Sequence, residues 1–343
     1  MERLKSRTVI GSLLWLLPLC FLAYLAIGPS LISPLVLFGS SGAEDQVRDQ
    51  VILTLIRLPR AVMAVLVGAS LAVCGAVMQG LFRNPLADPS LIGVSSGASA
   101  GASFMIVFGA SILQGNQLLG LSVVSIGAVA GAILAVFLVY RLSTDRYGTS
   151  VITMLLSGVA IGAVASALNN LFTYFADSVM LRRISVWEMG NLEGASWERV
   201  VLMAAVALVL LWRLPRYRSA LNAFLLGESD ARYLGIDVEW VKKELILVTA
   251  LAVGVSVVVV GNIAFVGLVV PHILRGAMGP DHRALLPGVA LAGATLLLVA
   301  DMAARTLISP AELPAGILTV LVGAPVFFYL LIRNRALNNP EKM

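Results

Sequence analysis

GLFRNPLADPSLIGVSSGASAGA, residues 80–102, interrupts apolar sequence with a charge, an Asn-Pro and an Asp-Pro, then continues almost wholly in Gly, Ser and Ala. Proline lacks an N–H and pushes its predecessor towards extended backbone, so Asn84-Pro85 and Asp88-Pro89 end one helix and hold a turn. Gly93, Gly97 and Gly101 then recur at every fourth position, laying a small-residue stripe where another helix can approach closely. The segment reads as a cytoplasmic re-entry point, marked by Arg83, and then a packing face for a neighbouring helix.

Outward from this stretch the chain is greasy. Its 343 residues are 59% hydrophobic and only 13% charged, with mean hydropathy +0.94. That charge is too sparse to cover a soluble surface, and apolar runs of about 20 residues recur. Together these imply an all-α, polytopic membrane protein, with about ten transmembrane helices in one domain over 1–343. The expected spans are 9–38, 61–82, 91–109, 118–141, 151–176, 199–214, 244–261, 263–278, 284–304 and 314–333. The basic start, Arg3, Lys5 and Arg7, precedes an apolar run too long for a signal core, so the first span is expected to be retained. A cytoplasmic N-terminus puts most of the 24 Lys and Arg inside, in accord with the positive-inside bias, and places both termini in the cytoplasm. The net charge of +5 is then a matter of topology and not a sign of nucleic-acid binding.

Two segments look alike. Span 2 with its break and Gly-rich successor resembles 257–294, where another Gly/Pro interruption precedes a helix of small residues. The two would run in opposite directions, the inverted repeat common in transporters. A gradient-driven secondary carrier is therefore one reading. Against it, membrane depth holds few ionisable groups: Asp301 has Arg305 one turn on, read as a local ion pair in preference to a proton relay.

Catalytic motifs are absent. Only four lysines occur, none in a G-x-x-x-x-G-K-[ST] loop, so this chain has no phosphate-binding loop of that type. There is no HExxH, no GxSxG and no Cys/His cluster with metal spacing, so no metal, cofactor or catalytic residue is assigned. Cys20 and Cys74, both within apolar runs, are read as small buried hydrophobes.

The remaining signals lie in connections. Residues 213–244 form the longest cytoplasmic connection, with a short helix expected near 225–236, either resting on lipid or presented to a soluble partner. On the outer side, Arg57, Arg60 and Arg305 can dock an acidic partner or pair locally with headgroups and nearby carboxylates. Arg182 and Arg183, near Trp187, either anchor a helix at the interface or meet an anionic solute.

Five blocks in order carry a family resemblance: RLPRAVMAVLVGASLAVCGAVMQGLFRNPLADPSLIGVSSGASAGA, LLGESDARYLGI, GNIAFVGLVVPHILR, GPDHRALLPGVALAGATLLLVADMAAR and ELPAGILTVLVGAPVFFYLLIRN. They resemble the iron-chelate, haem and cobalamin permeases of bacterial ABC importers. The resemblance implies a homodimeric inner-membrane permease whose partners are a second copy, two cytoplasmic ATPase subunits holding ATP and Mg, and a periplasmic binding protein. It implies an ATPase-coupling helix within 219–236, matching Gly227, Glu228, Ser229, Asp230, Ala231, Arg232, Leu234 and Gly235. It also implies binding-protein docking through Arg57, Arg60 and Arg305, and a pathway near Ser157, Gly158, Gly162 and Ala163. Tyr174, Arg182 and Arg183 are further substrate candidates. The outer block LRRISVWEMGNLEGASW is more similar to haem and ferric-siderophore permeases than to cobalamin ones, so haem is expected first, a ferric siderophore next and cobalamin third.

Overall fold

The computed structural model describes residues 2–38, 44–109, 123–146 and 148–337. Its helices are α1 Glu2–Ala26, α2 Glu44–Val51, α3 Leu58–Leu81, α4 Val94–Phe108, α5 Val123–Ser143, α6 Val151–Phe175 and α7 Ser178–Glu188. After these come α8 Trp197–Arg213, α9 Arg218–Phe224, α10 Glu228–Tyr233, α11 Val238–Val260, α12 Val266–Met278, α13 His282–Thr306 and α14 Ala315–Leu337. A two-stranded hairpin, β1 Thr144–Asp145 and β2 Gly148–Thr149, joins α5 to α6.

Among the described residues, ten of the helices are apolar. Seven spans are long enough to cross a membrane: those built on α1, α3, α5, α6, α8, α11 and α13. The other three, in α4, α12 and α14, are shorter apolar helices, where Gly and Pro interrupt the sequence. The first span ends at Ala26 and not near 38, because Gly28-Pro29 cannot continue a helix. Beyond it, Pro34–Phe38 forms one separate 3-10 turn. In the other direction α11 begins six residues before its expected span, since Glu239, Lys242 and Glu244 continue the helix beyond its apolar part. Residues 118–122 of the expected fourth span lie outside the described residues.

The molecule is organised around α3, which is buried along nearly its whole length, with α11 and α13 beside it. Small residues make this possible. A Cβ on Gly68 of α3 would overlap the Gly293 carbonyl of α13, and one on Gly75 would overlap the Gly267 carbonyl of α12. In a bilayer, where lipid tails already satisfy apolar surface, such backbone contact supplies the dispersion energy of association.

The 80–102 stretch behaves as its spacing suggests. Helix α3 ends at Leu81, Asp88 caps a 3-10 turn at Pro89–Ile92 by accepting the Ser90 N–H at 2.8 Å, and Gly93 opens α4 at φ 78°. A Cβ on Gly97 or Gly101 would overlap the carbonyls of Gly131 and Gly127, so the stripe packs on α5. The second interruption is built alike: α11 stops at Gly261 and α12 opens on Phe265 at φ 68°. A left-handed Phe costs about 1–2 kcal/mol; α14 accommodates its ring, since a Cβ on Gly323 would stand 2.7 Å from Phe265 Cγ.

Candidate functional site

The glycine face of α4 has a serine face beside it. Ser95, Ser96 and Ser99 line a cleft of about 880 Å³ whose other walls are the Pro89–Ile92 turn, α6, the 261–265 loop, the start of α12 and Phe327 of α14. From α6 come Gly158, Gly162, Ser166, Asn169 and Asn170. A Cβ on Gly158 would overlap the Leu91 carbonyl, so α6 and the re-entrant turn touch backbone to backbone. Asn169 donates to Glu188 Oε1 at 2.6 Å, while its own Oδ1 is buried without a partner among the described residues. The wall thus mixes hydroxyls and amides with apolar side chains such as Leu71, Val253, Phe265 and Phe327, and carries two carboxylates, Glu188 and the capping Asp88.

The pathway residues expected from sequence divide. Gly158 and Gly162 line this cleft; Ser157 is buried beside it, and Ala163 lies on the exposed face of α6. Arg182 and Arg183 line a second cleft of about 690 Å³ with Arg199, Trp187 and the valines at the end of α11. The two clefts share Gly261 as a wall. Tyr174 is 83% exposed and stacks edge-on against Phe175, lining neither cleft. Asn169, Glu188 and the α4 serines were not singled out from sequence, because polar groups scattered over three elements leave no local motif.

The arginines expected on the outer side are interior. Arg57, Arg60 and Arg305 are only 3–4% exposed. Arg57 donates to the carbonyls of Leu25 at 2.6 Å and Ser30 at 2.5 Å, satisfying backbone acceptors in the last turn of α1 and just past its end. Arg305 donates to the Tyr24 and Ile27 carbonyls at 2.8 and 3.0 Å and lies 4.0 Å over the Tyr24 ring. Arg60 pairs with Asp301 and with Glu312. Docking through these guanidiniums would require the interior network to open. The expected Asp301–Arg305 pair is also corrected: Asp301 takes Arg60 and the Tyr24 hydroxyl, because α3 and α1 both reach its carboxylate from across the bundle.

At the opposite end of the chain's helices, the expected coupling segment forms α10, flanked by Gly227 at φ 141° and Gly235 at φ 81°. Ala231 is fully buried, whereas Leu226, Tyr233 and Leu234 are 67%, 90% and 65% exposed. Glu228 pairs with Lys242, and Arg232 with Glu239; Ser229 and Asp230 face solvent. The preceding α9 is fastened to α13, since Asn222 donates to Asp281 Oδ1 at 2.7 Å and accepts the His282 N–H at 2.9 Å. Partial burial works to raise the Asp281 pKa, but the Arg283 N–H and the Asn222 amide outweigh it and hold the carboxyl below its ordinary value. Among the described residues no group of three or more His, Cys, Asp or Glu is placed to hold a metal ion.

The FecCD transport family model matches residues 16–333. The chain belongs to the FecCD transport family. Among curated relatives, the hemin transport system permease protein HmuU of Yersinia pestis is 42% identical over 334 residues, covering 97% of this chain and 98% of HmuU. The vitamin B12 import system permease protein BtuC of Escherichia coli O9:H4 (strain HS) is 43% identical over 327 residues, covering 94% and 95%. A solved structure described as an inward-facing conformation of a metal-chelate type ABC transporter superposes with a TM-score of 0.83 at 32% identity, covering 95% of this chain and 99% of that one. As a FecCD member the chain is a multi-pass membrane permease of an ABC importer, and ATP hydrolysis belongs to a separate chain. That membership removes the secondary-carrier reading.

Proposed function

We propose that this permease carries an iron complex from periplasm to cytoplasm across the inner membrane, with haem preferred and a ferric siderophore next. The observation that supports this best is the pair of adjoining clefts: a wide one where Ser, Asn and Gly mix with apolar side chains, and one lined by Arg182, Arg183 and Arg199. A chelate arrives with its metal already coordinated, so its path needs width and weak polar contact, not ligands. The arginines suit the propionates of haem, which guanidinium binds in bidentate fashion. Cobalamin is the second reading, favoured by the 43% identity to BtuC.

The working assembly is two copies of this chain, two ATPase subunits holding ATP and Mg, and a periplasmic binding protein, with both termini of this chain cytoplasmic. The apolar tips of α10 support ATPase docking there, because Tyr233 and Leu234 project from a short helix whose buried side already rests on the bundle. ATP binding draws the ATPases together, α10 moves with them, and the clefts change the side to which they open.

The test is uptake into proteoliposomes bearing the permease and its ATPase, with binding protein loaded with haem, ferric siderophore or cobalamin in separate arms. Haem uptake dependent on ATP is expected. Uptake in the cobalamin arm alone would replace haem with the second reading.

A further inference from the structure

Lys242 is 3% exposed, and its ammonium has a partner for each of its three protons. Nζ lies 2.7 Å from Glu228 Oε2 on α10, 3.3 Å from Glu239 Oε1 on its own helix α11, and 2.9 Å from the Thr149 carbonyl on β2. Glu239 completes the arrangement, because its other oxygen accepts the Thr149 N–H at 2.8 Å. Both sides of the Thr149 backbone are therefore held by one ion pair. Gly148, at φ 118°, permits this approach: a Cβ there would stand 2.6 Å from the Glu239 carboxyl carbon.

The residues just beyond Thr149 give the arrangement its significance. Ser150 donates its N–H to the Ser143 carbonyl at 2.9 Å and caps α6, which begins at Val151. About two turns further along, α6 presents Gly158 and Gly162 to the wide cleft. A helix moves as a stiff unit over such a distance, so the base of the cleft-lining helix is tied to α10 through the buried Lys242 ammonium, with the more exposed Arg232–Glu239 pair beside it.

We infer that Lys242 is the positioning residue that carries movement of α10 into α6, coupling ATPase closure to the cleft. The chain connection between the two elements is indirect, running through all of α7, α8, α9 and their loops, whereas the ion pair joins them in one step. A purely structural tie at this place needs no charge. Burying an ammonium is costly unless it is fully paired, and here the pairing spans three elements that must keep register while one of them is pulled. The inference rests on the reading that the ATPase docks on α10.

The test uses the full permease–ATPase complex in proteoliposomes, with wild type, Lys242→Met, Lys242→Arg and Glu239→Gln. Glu239 is partly exposed, so its neutralisation loosens the hairpin arm in a protein that folds even where Lys242→Met does not. The readout is cargo taken up per ATP hydrolysed, measured with haem and with cobalamin as separate probes. Lys242→Met and Glu239→Gln should each retain bound ATPase and hydrolysis while uptake per ATP falls roughly tenfold, within the usual range of coupling energies. Lys242→Arg, which keeps the charge, should recover most of it. Wild-type uptake per ATP in Glu239→Gln or in folded Lys242→Met overturns the inference, as does a deficit that Arg fails to relieve. Failure of the ATPase to co-purify with the wild-type chain would instead remove the docking reading on which the inference stands.

Discussion

Arg60 grips Asp301 with two parallel hydrogen bonds of 2.8 Å, Nε to Oδ2 and Nη2 to Oδ1, fixing α3 to α13 where both residues are almost fully buried. Removing Asp301 leaves the buried Arg60 with only the part-exposed Glu312 as counter-ion, and removing Arg60 leaves the Asp301 carboxylate buried without a cation paired to it. Asp301→Asn is therefore expected to cost about 3–5 kcal/mol, read as a lowered unfolding midpoint in detergent. Arg60→Met combined with Asp301→Asn should lose less than the two single changes added together. Strict additivity would mean that the pair contributes no coupling.

Arg57 makes a related prediction. Arg57→Glu would set a carboxylate against the Leu25 and Ser30 carbonyls, so the expected first effect is loss of stability where α1 ends. Association of the folded fraction with a binding protein should stay near wild type. A variant that melts normally yet loses association would restore a direct docking role to this arginine.

The two faces of α4 separate stability from transport. Gly101→Val drives a side chain into the Gly127 backbone and should cost about 1–3 kcal/mol or more, seen as a lower melting temperature. Ser99→Val, on the cleft side, should leave melting unchanged. Equal effects on melting would mean that the faces are not distinct.

Gly162 tests the cleft itself. A Cβ there meets Ser96 Oγ at 3.4 Å, ordinary contact, so Gly162→Leu fills the cleft without unseating α6. ATP-driven uptake should fall roughly tenfold or more with melting unaffected. Unimpaired uptake would exclude this cleft from the path.

Asp281 gives a pH signature. Its folded pKa is below the ordinary value because the Arg283 N–H and Asn222 amide outweigh partial desolvation. Its stabilisation is then complete above the unfolded pKa of about 3.9 and is lost as pH falls through the lower folded value. The melting difference between wild type and Asp281→Asn should be constant from about pH 7 to 5 and close below about pH 4. A difference that persists in acid would show that this carboxylate's charge is not what holds α9.

Legibility in the sequence depended on the range over which each interaction acts. The end of α3, the cap at Asp88 and the packing stripe of α4 are local consequences of Pro and Gly, so 80–102 disclosed them. The paired interruptions were visible for the same reason, as Gly93 and Phe265 both open short helices in the left-handed region. Burial of Arg57, Arg60 and Arg305 was not legible, because their partners sit on α1, α13 and the 307–314 connection. A sequence shows a basic residue near a helix end in the same way whether it faces water or a neighbouring carbonyl. Lys242 was hidden likewise, because only the fold brings Thr149 and Glu228 to it. The cleft was half legible, with its glycines on α6 apparent and the Asn169–Glu188 pair across to α7 not.

The most direct measurement of the central claim is ATP-driven uptake by the purified permease reconstituted with its ATPase and a haem-loaded binding protein. The account predicts haem accumulation that requires ATP, the ATPase chain and this permease together. Accumulation by the permease alone, driven by a proton or sodium gradient without any ATPase, would contradict it.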